Sequence, residues 1–205
     1  MMALVSKPIS IVVLIISITL SQGCVMSTDP VPEDLYYRLQ ADTILDPLPN
    51  PKFSGSIEVE RFVADGVTAG RPIVYSEAGK PNQLKEYHYH FWTEPPTIML
   101  RDELVNYLRD SNIADAVVTP EMRVRSAFIL TGKIQRLERV IGEKASAKLA
   151  LQLSLRRSET GELILLRVYK YDVPSDEASI SGAVRSLNSA LSNVYAEFLE
   201  DLKEY

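Results

Sequence analysis

The chain has 205 residues, 46% hydrophobic and 24% charged, with a formal net charge of −5. That profile fits one ordinary globular domain; it is too apolar for a disordered chain and too polar for a polytopic membrane protein. An acidic chain with no basic cluster excludes nucleic acid as a natural partner, because phosphate contacts supply most of that affinity, and a single cysteine excludes an internal disulfide and a thiolate zinc site.

Met1–Lys7 is short and weakly basic, and Ile9–Leu20 carries no charge. The run suits the apolar core of a signal peptide and is shorter than the ~17–25 residues a membrane-spanning helix needs. Leu20-Ser21-Gln22-Gly23-Cys24 follows and resembles the lipobox of bacterial lipoproteins, with Ser21 where leucine is usual and Gln22 where a small residue is usual. The resemblance implies that residues 1–23 are a lipoprotein-type signal peptide, that cleavage precedes Cys24, and that Cys24 is the lipid attachment site. Ordinary secretory cleavage nearby and an uncleaved N-terminal anchor are the alternatives. Several acyl chains, at ~0.8 kcal/mol per buried CH₂, anchor stably where a single chain is marginal. Val25, in place of an Asp, favours the outer membrane over retention at the inner one.

Residues 24–34 read as the lipidated tether, and the nine residues Val25–Glu33 reach about 30 Å when extended. Residues 35–205 form the domain. Leu35–Leu39 is a short strand, followed by a proline-rich loop over Asp46–Pro51 where missing N–H donors exclude pairing. Ile57–Val63 alternates Ile57 and Val59 with Glu58 and Glu60, a strand with one wet face. Ile73–Tyr75 is a strand, Ser76–Asn82 a turn, and Lys85–Trp92 a further strand. It carries Tyr87, Tyr89 and Phe91 on one face, read as core, and His88, His90 and Trp92 on the other. Pro95-Pro96 opens a helix whose Leu100, Leu104, Tyr107 and Leu108 form one apolar stripe. Ala116–Val118 is a short strand.

Three long strands follow, Ser126–Val140, Ala147–Arg157 and Glu162–Val173, joined by hairpin turns. In the first, Phe128, Leu130, Gly132 and Ile134 share a face, and Leu137 breaks the parity, which predicts a bulge or bend. In the second, five apolar residues from Ala147 to Leu155 alternate with polar ones, so a period of two overrides helix propensity. A closing helix spans about Asp176–Lys203, with Asp176 and Glu177 in its first turn and an apolar stripe of Ile180, Val184, Leu187, Leu191, Val194, Phe198 and Leu202. The expected fold is α/β (α+β): an antiparallel-rich sheet with two main helices packed on one face.

Chemistry has little support in these residues. His88-x-His90 lacks a third ligand, Gly66-x-x-x-Gly70 is not followed by Gly-Lys-Ser/Thr, and Glu58 with Glu60 reads as a solvated strand face. The expectation is no catalytic residue, no metal and no cofactor, with Trp92 and Pro95-Pro96 structural.

From Ile73 onward the chain resembles the ABC-type transport auxiliary lipoproteins, among them the paraquat-inducible protein C-like lipoproteins that accompany MCE-domain transporters. Ile73-Val74-Tyr75, Tyr87, Trp92-x-x-Pro95-Pro96-x-x-x-Leu100, Leu104 and Leu108 carry the likeness, together with the long paired strands and the closing helix. The resemblance implies a non-catalytic periplasmic accessory to an ABC/MCE-type intermembrane transport system for lipid or another hydrophobic compound. Its implied partners are an MCE-domain protein, ABC transporter components and the membrane through the lipid anchor, with self-association open. An activator or scaffold of envelope-building enzymes, and a lipid carrier with its own cavity, are the alternatives.

Overall fold

In the computed structural model the described residues are 31–42 and 46–205, so Cys24 and the leader lie outside them. Asp34–Tyr205 form a compact unit. The elements are β1 (Leu35–Tyr37), β2 (Phe53–Val59), β3 (Val63–Ala64), β4 (Pro72–Glu77), β5 (Lys80–Trp92), α1 (Pro96–Asp110), β6 (Ala114–Val118), β7 (Phe128–Ile141), β8 (Ser146–Arg157), β9 (Leu163–Pro174) and α2 (Ile180–Glu204). Among the described residues no helix is long and apolar enough to cross a membrane.

The sheet is organised by β7. Along one edge it pairs antiparallel with β8 over nearly its full length, and β8 pairs antiparallel with the edge strand β9. Along its other edge three short strands succeed one another in parallel: β2 at Phe128–Leu130, β3 at Lys133–Ile134 and β4 at Arg139–Ile141. Two wings grow from this edge, β2–β6 beside the first part of β7 and β4–β5–β1 beside its second part. Antiparallel ladders hold most of the paired residues, as expected. The parallel pairs join strands too short to announce a partner.

The parity break in β7 is a bulge. Ile134 pairs with Leu151 and Arg136 with Ala150, which leaves Gln135 over. The extra residue returns Leu137 to the face that already buries Phe128, Leu130 and Ile134. On β8 the alternation is clean, with Ala147, Leu149, Leu151, Leu153 and Leu155 all buried.

Both helices lie against this face. The α1 residues Leu100, Leu104, Tyr107 and Leu108 are buried, and so is every residue of the α2 stripe except the half-buried Ile180. Tyr195 on α2 donates its hydroxyl to the Leu100 carbonyl on α1 at 2.6 Å, satisfying both groups inside the core and fixing the helices to each other. Pro96 occupies the first turn of α1, as read from the sequence.

Three expectations need correction. The helix α2 begins at Ile180, so Asp176 and Glu177 precede it. Ser179 is its N-cap, its hydroxyl accepting from the Gly182 N–H at 2.9 Å, and Glu177 instead pairs with Arg185. The turn within Ser76–Asn82 is confined to Ala78 and Gly79, because β5 starts at Lys80. Finally, the face of β5 read as core is not uniformly buried. Tyr89 is 39% exposed and Phe91 and Tyr87 are half-buried, while Trp92, on the opposite parity, is 1% exposed and belongs to the core. The ladder with β4 jumps from Pro72–Phe91 to Val74–Glu86, and this bulge re-aims the residues between.

Candidate functional site

The sequence-derived site residue, Cys24, lies outside the described residues, ahead of β1 in the chain. The remaining candidates separate. His88 is exposed beside Tyr89, whereas the half-buried His90 exchanges a hydrogen bond with the Tyr37 hydroxyl at 2.9 Å and meets Tyr87 edge-on. Among the described residues no three metal-ligating side chains converge. Glu58 accepts from the Ser126 hydroxyl at 3.4 Å and Glu60 faces Arg156 at 4.0 Å, so each carboxylate has its own partner across the sheet. Gly66–Ala69 is a single 3-10 turn.

Buried polar groups are tied into the fold. Asp201 on α2 accepts from Tyr169 at 2.5 Å and pairs with Arg167, both on β9, which clamps the helix to the edge strand. Burial, followed by the Asp201 carboxylate, pushes the Tyr169 phenol far above its ordinary value. Arg139 is 8% exposed; it donates to the Tyr87 hydroxyl at 2.7 Å and the Ala178 carbonyl at 2.8 Å, while its Nε has no partner among the described residues. Glu121 is held by Thr119, by a backbone N–H and by Arg101, which lowers its carboxyl to about 2. These arrangements join elements and present no nucleophile–base pair at a cleft.

The space between helices and sheet is filled by Trp92, Tyr195, Phe62 and Phe198. Clefts open at the rim instead. One of about 670 Å³ is bordered by Glu143, Lys144, Asp172 and Asp176, and one of about 430 Å³ by Arg125, Ser126, Arg157 and Glu159. Charged, solvent-open walls suit protein contact better than an apolar guest, which asks for enclosure.

Two exposed apolar regions mark the surface. At the end of the sheet where β7 begins, Val124, Leu163 and Tyr205 are exposed, and Tyr205 stacks at 6.4 Å on Phe53, itself 5.1 Å from Phe128. On the β4–β5–β1 wing, Tyr36 is 55% exposed, packs at 5.9 Å on Phe91, and carries the Arg71 guanidinium 5.4 Å over its ring. Sequence reasoning missed both regions. The available signal for the second was the Leu35-Tyr36-Tyr37 run following a polar tether.

The model of the ABC-type transport auxiliary lipoprotein component family matches residues 37–198. No curated protein matches the chain. Among solved structures, a Xanthomonas campestris protein of the DUF330 family aligns with TM-score 0.68 at 23% identity, over 80% of this chain and 92% of that one. An uncharacterised protein aligns with TM-score 0.65 at 16% identity, over 83% of this chain and 99% of that one. At these identities the likeness is one of fold.

Proposed function

The chain belongs to the ABC-type transport auxiliary lipoprotein family, and from that premise we propose that it is a lipid-anchored, non-catalytic accessory subunit of an ABC/MCE-type system moving lipid or another hydrophobic compound between membranes. The observation that carries this reading is the family match, which spans the folded unit from β1 into α2. Cys24 is the acylated residue, the outer membrane facing the periplasm is the location, and an MCE-domain protein with its ABC components is the partner. The filled core favours docking over carriage, since a carrier must hold its guest away from water. The exposed end around Val124, Leu163 and Tyr205 offers an apolar centre rimmed by Arg125 and Arg157, the composition of a protein contact.

The anchor is tested by metabolic labelling with a clickable fatty acid. The wild type takes the label and Cys24→Ala does not; equal labelling of both ends the lipoprotein reading. The partnership is tested by crosslinking in intact envelopes and by deletion. Recovery of the MCE-domain protein is expected, and deleting both genes should be no worse than deleting either. Clearly additive defects without such a crosslink would transfer the chain to the activators of envelope-building enzymes.

A further inference from the structure

The aromatic patch on the β4–β5–β1 wing is not covered by another element among the described residues. Tyr36 and Phe91 are paired across the β1–β5 ladder, Tyr89 lies two residues before Phe91, and Arg71 reaches over Tyr36 while its Nε donates to the Trp92 carbonyl at 3.1 Å. We propose that this face, Tyr36, Tyr89 and Phe91 with Arg71, rests on the lipid surface into which Cys24 is anchored. The inference depends on the acylation of Cys24.

Three observations identify a lipid surface as the occupant. The chain from Cys24 to Leu35 spans at most about 40 Å, so an anchor at Cys24 keeps β1, the first strand, within that distance of the headgroups. A face held there meets the bilayer at high effective concentration, and even a weak contact is occupied. The side chains have the matching chemistry. Tyrosine rings settle at the headgroup level with an apolar body and a hydroxyl tip, and the guanidinium N–H groups of Arg71 not used on Trp92 can donate to a phosphate oxygen. The surrounding charge says how the contact works. Glu33 and Asp34 immediately precede β1 and the chain is acidic, so attraction to an anionic surface is weak and the contact rests on aromatic area. It should therefore survive added salt. With this face down, the region around Val124, Leu163 and Tyr205, beside the other part of β7, remains free for protein.

The lone cysteine makes the test clean, because once Cys24 is acylated an introduced cysteine is the only free thiol. The mature lipoprotein carrying Tyr89→Cys or Leu163→Cys is labelled with an environment-sensitive fluorophore and reconstituted into phosphatidylethanolamine/phosphatidylglycerol vesicles. Position 89 shares the face of Tyr36 and Phe91 and is exposed, and there we expect a blue shift and quenching by brominated acyl chains, both retained in high salt. At position 163 we expect neither. Adding Tyr36→Ser and Phe91→Ser to Tyr89→Cys should return the probe to water while the protein still floats with the vesicles. A protein that floats with its position-89 probe in water overturns the contact and leaves the anchor standing. A protein that does not float overturns the anchor and the contact together. A probe that stays in water on vesicles but is shielded in crosslinked envelopes assigns the face to a protein partner and overturns the proposal.

Discussion

Gly132 offers a sharp test of how β7 is packed. It sits on the helix-facing side of the strand between Leu130 and Ile134, and a methyl group added there would lie 2.6–2.7 Å from three atoms of the Phe62 ring. Ordinary carbon contacts are ~3.5–4.0 Å, and Phe62 is 2% exposed, so the ring has nowhere to retreat. Two effects compete. Alanine is intrinsically better than glycine in a strand interior by ~0.5–1 kcal/mol, whereas forcing a methyl into a packed core costs ~1–3 kcal/mol. Overpacking should win, and Gly132→Ala should lose about 1–2 kcal/mol. At ~2–4 °C per kcal/mol for a domain of this size, the melting temperature should fall by roughly 2–8 °C. The decisive measurement is a double-mutant cycle by urea unfolding of the soluble domain beginning near Asp29, followed by circular dichroism and Trp92 fluorescence. Phe62→Ala alone should cost ~3–5 kcal/mol. In the double variant the clash has vanished, so its cost should fall short of the sum by at least ~1 kcal/mol. Strict additivity, or a stabilising Gly132→Ala, would refute the close approach of Phe62 to the strand.

Three other outcomes follow from the packing. Trp92→Ala should destabilise the same domain by ~3–5 kcal/mol, because the indole is almost wholly buried; unchanged stability with a lost crosslink to the partner would make Trp92 an interface residue. Arg139→Met should change stability by less than ~1 kcal/mol, since two charge-assisted hydrogen bonds are lost while a guanidinium without a carboxylate partner among the described residues no longer has to be desolvated; a loss above ~3 kcal/mol would show that Arg139 is fully compensated. Glu121 should titrate near pH 2 by carbon-detected NMR; a folded value below the unfolded one means that its contribution is complete above the unfolded value and is lost as the pH falls toward 2, and a midpoint near 4 would remove the contacts from Thr119 and Arg101.

The parts of this fold legible in the sequence are those set by local period. Alternation placed β8, spacing placed the stripes of both helices, and the displaced Leu137 signalled an irregularity in β7 that the ladder register places at Gln135. What stayed hidden depends on distant partners. Nothing local in the short β2, β3 and β4 says that they line the same edge of β7. Lys80–Glu86 of β5 is exposed throughout, so no pattern marked it as strand and β5 was read five residues short. Acids at Asp176 and Glu177 imitate a first turn, but the cap is decided by which hydroxyl reaches an amide, and Ser179 does. The buried face of β5 is hidden for a different reason: alternation does not say which of its two faces packs, and it is the side of Trp92 that meets the core, which leaves Tyr89 outward.

The bulge in β7 also constrains how chains of this fold can change length. A strand is read two residues at a time, and Gln135 shifts that reading frame once, so that the wing carrying β2 and the wing carrying β4 both present their apolar residues to one pair of helices. Deleting Gln135, or inserting one residue elsewhere in β7, would move Leu137 and Arg139 to the opposite face of the sheet and bring Glu138, which now pairs with Arg136, to the helix-facing side. Only paired changes keep the frame. Single-residue insertions and deletions should therefore collect at Gly142–Ala145 and Ser158–Glu162, the two turns flanking β8, where the chain reverses and no frame is carried forward.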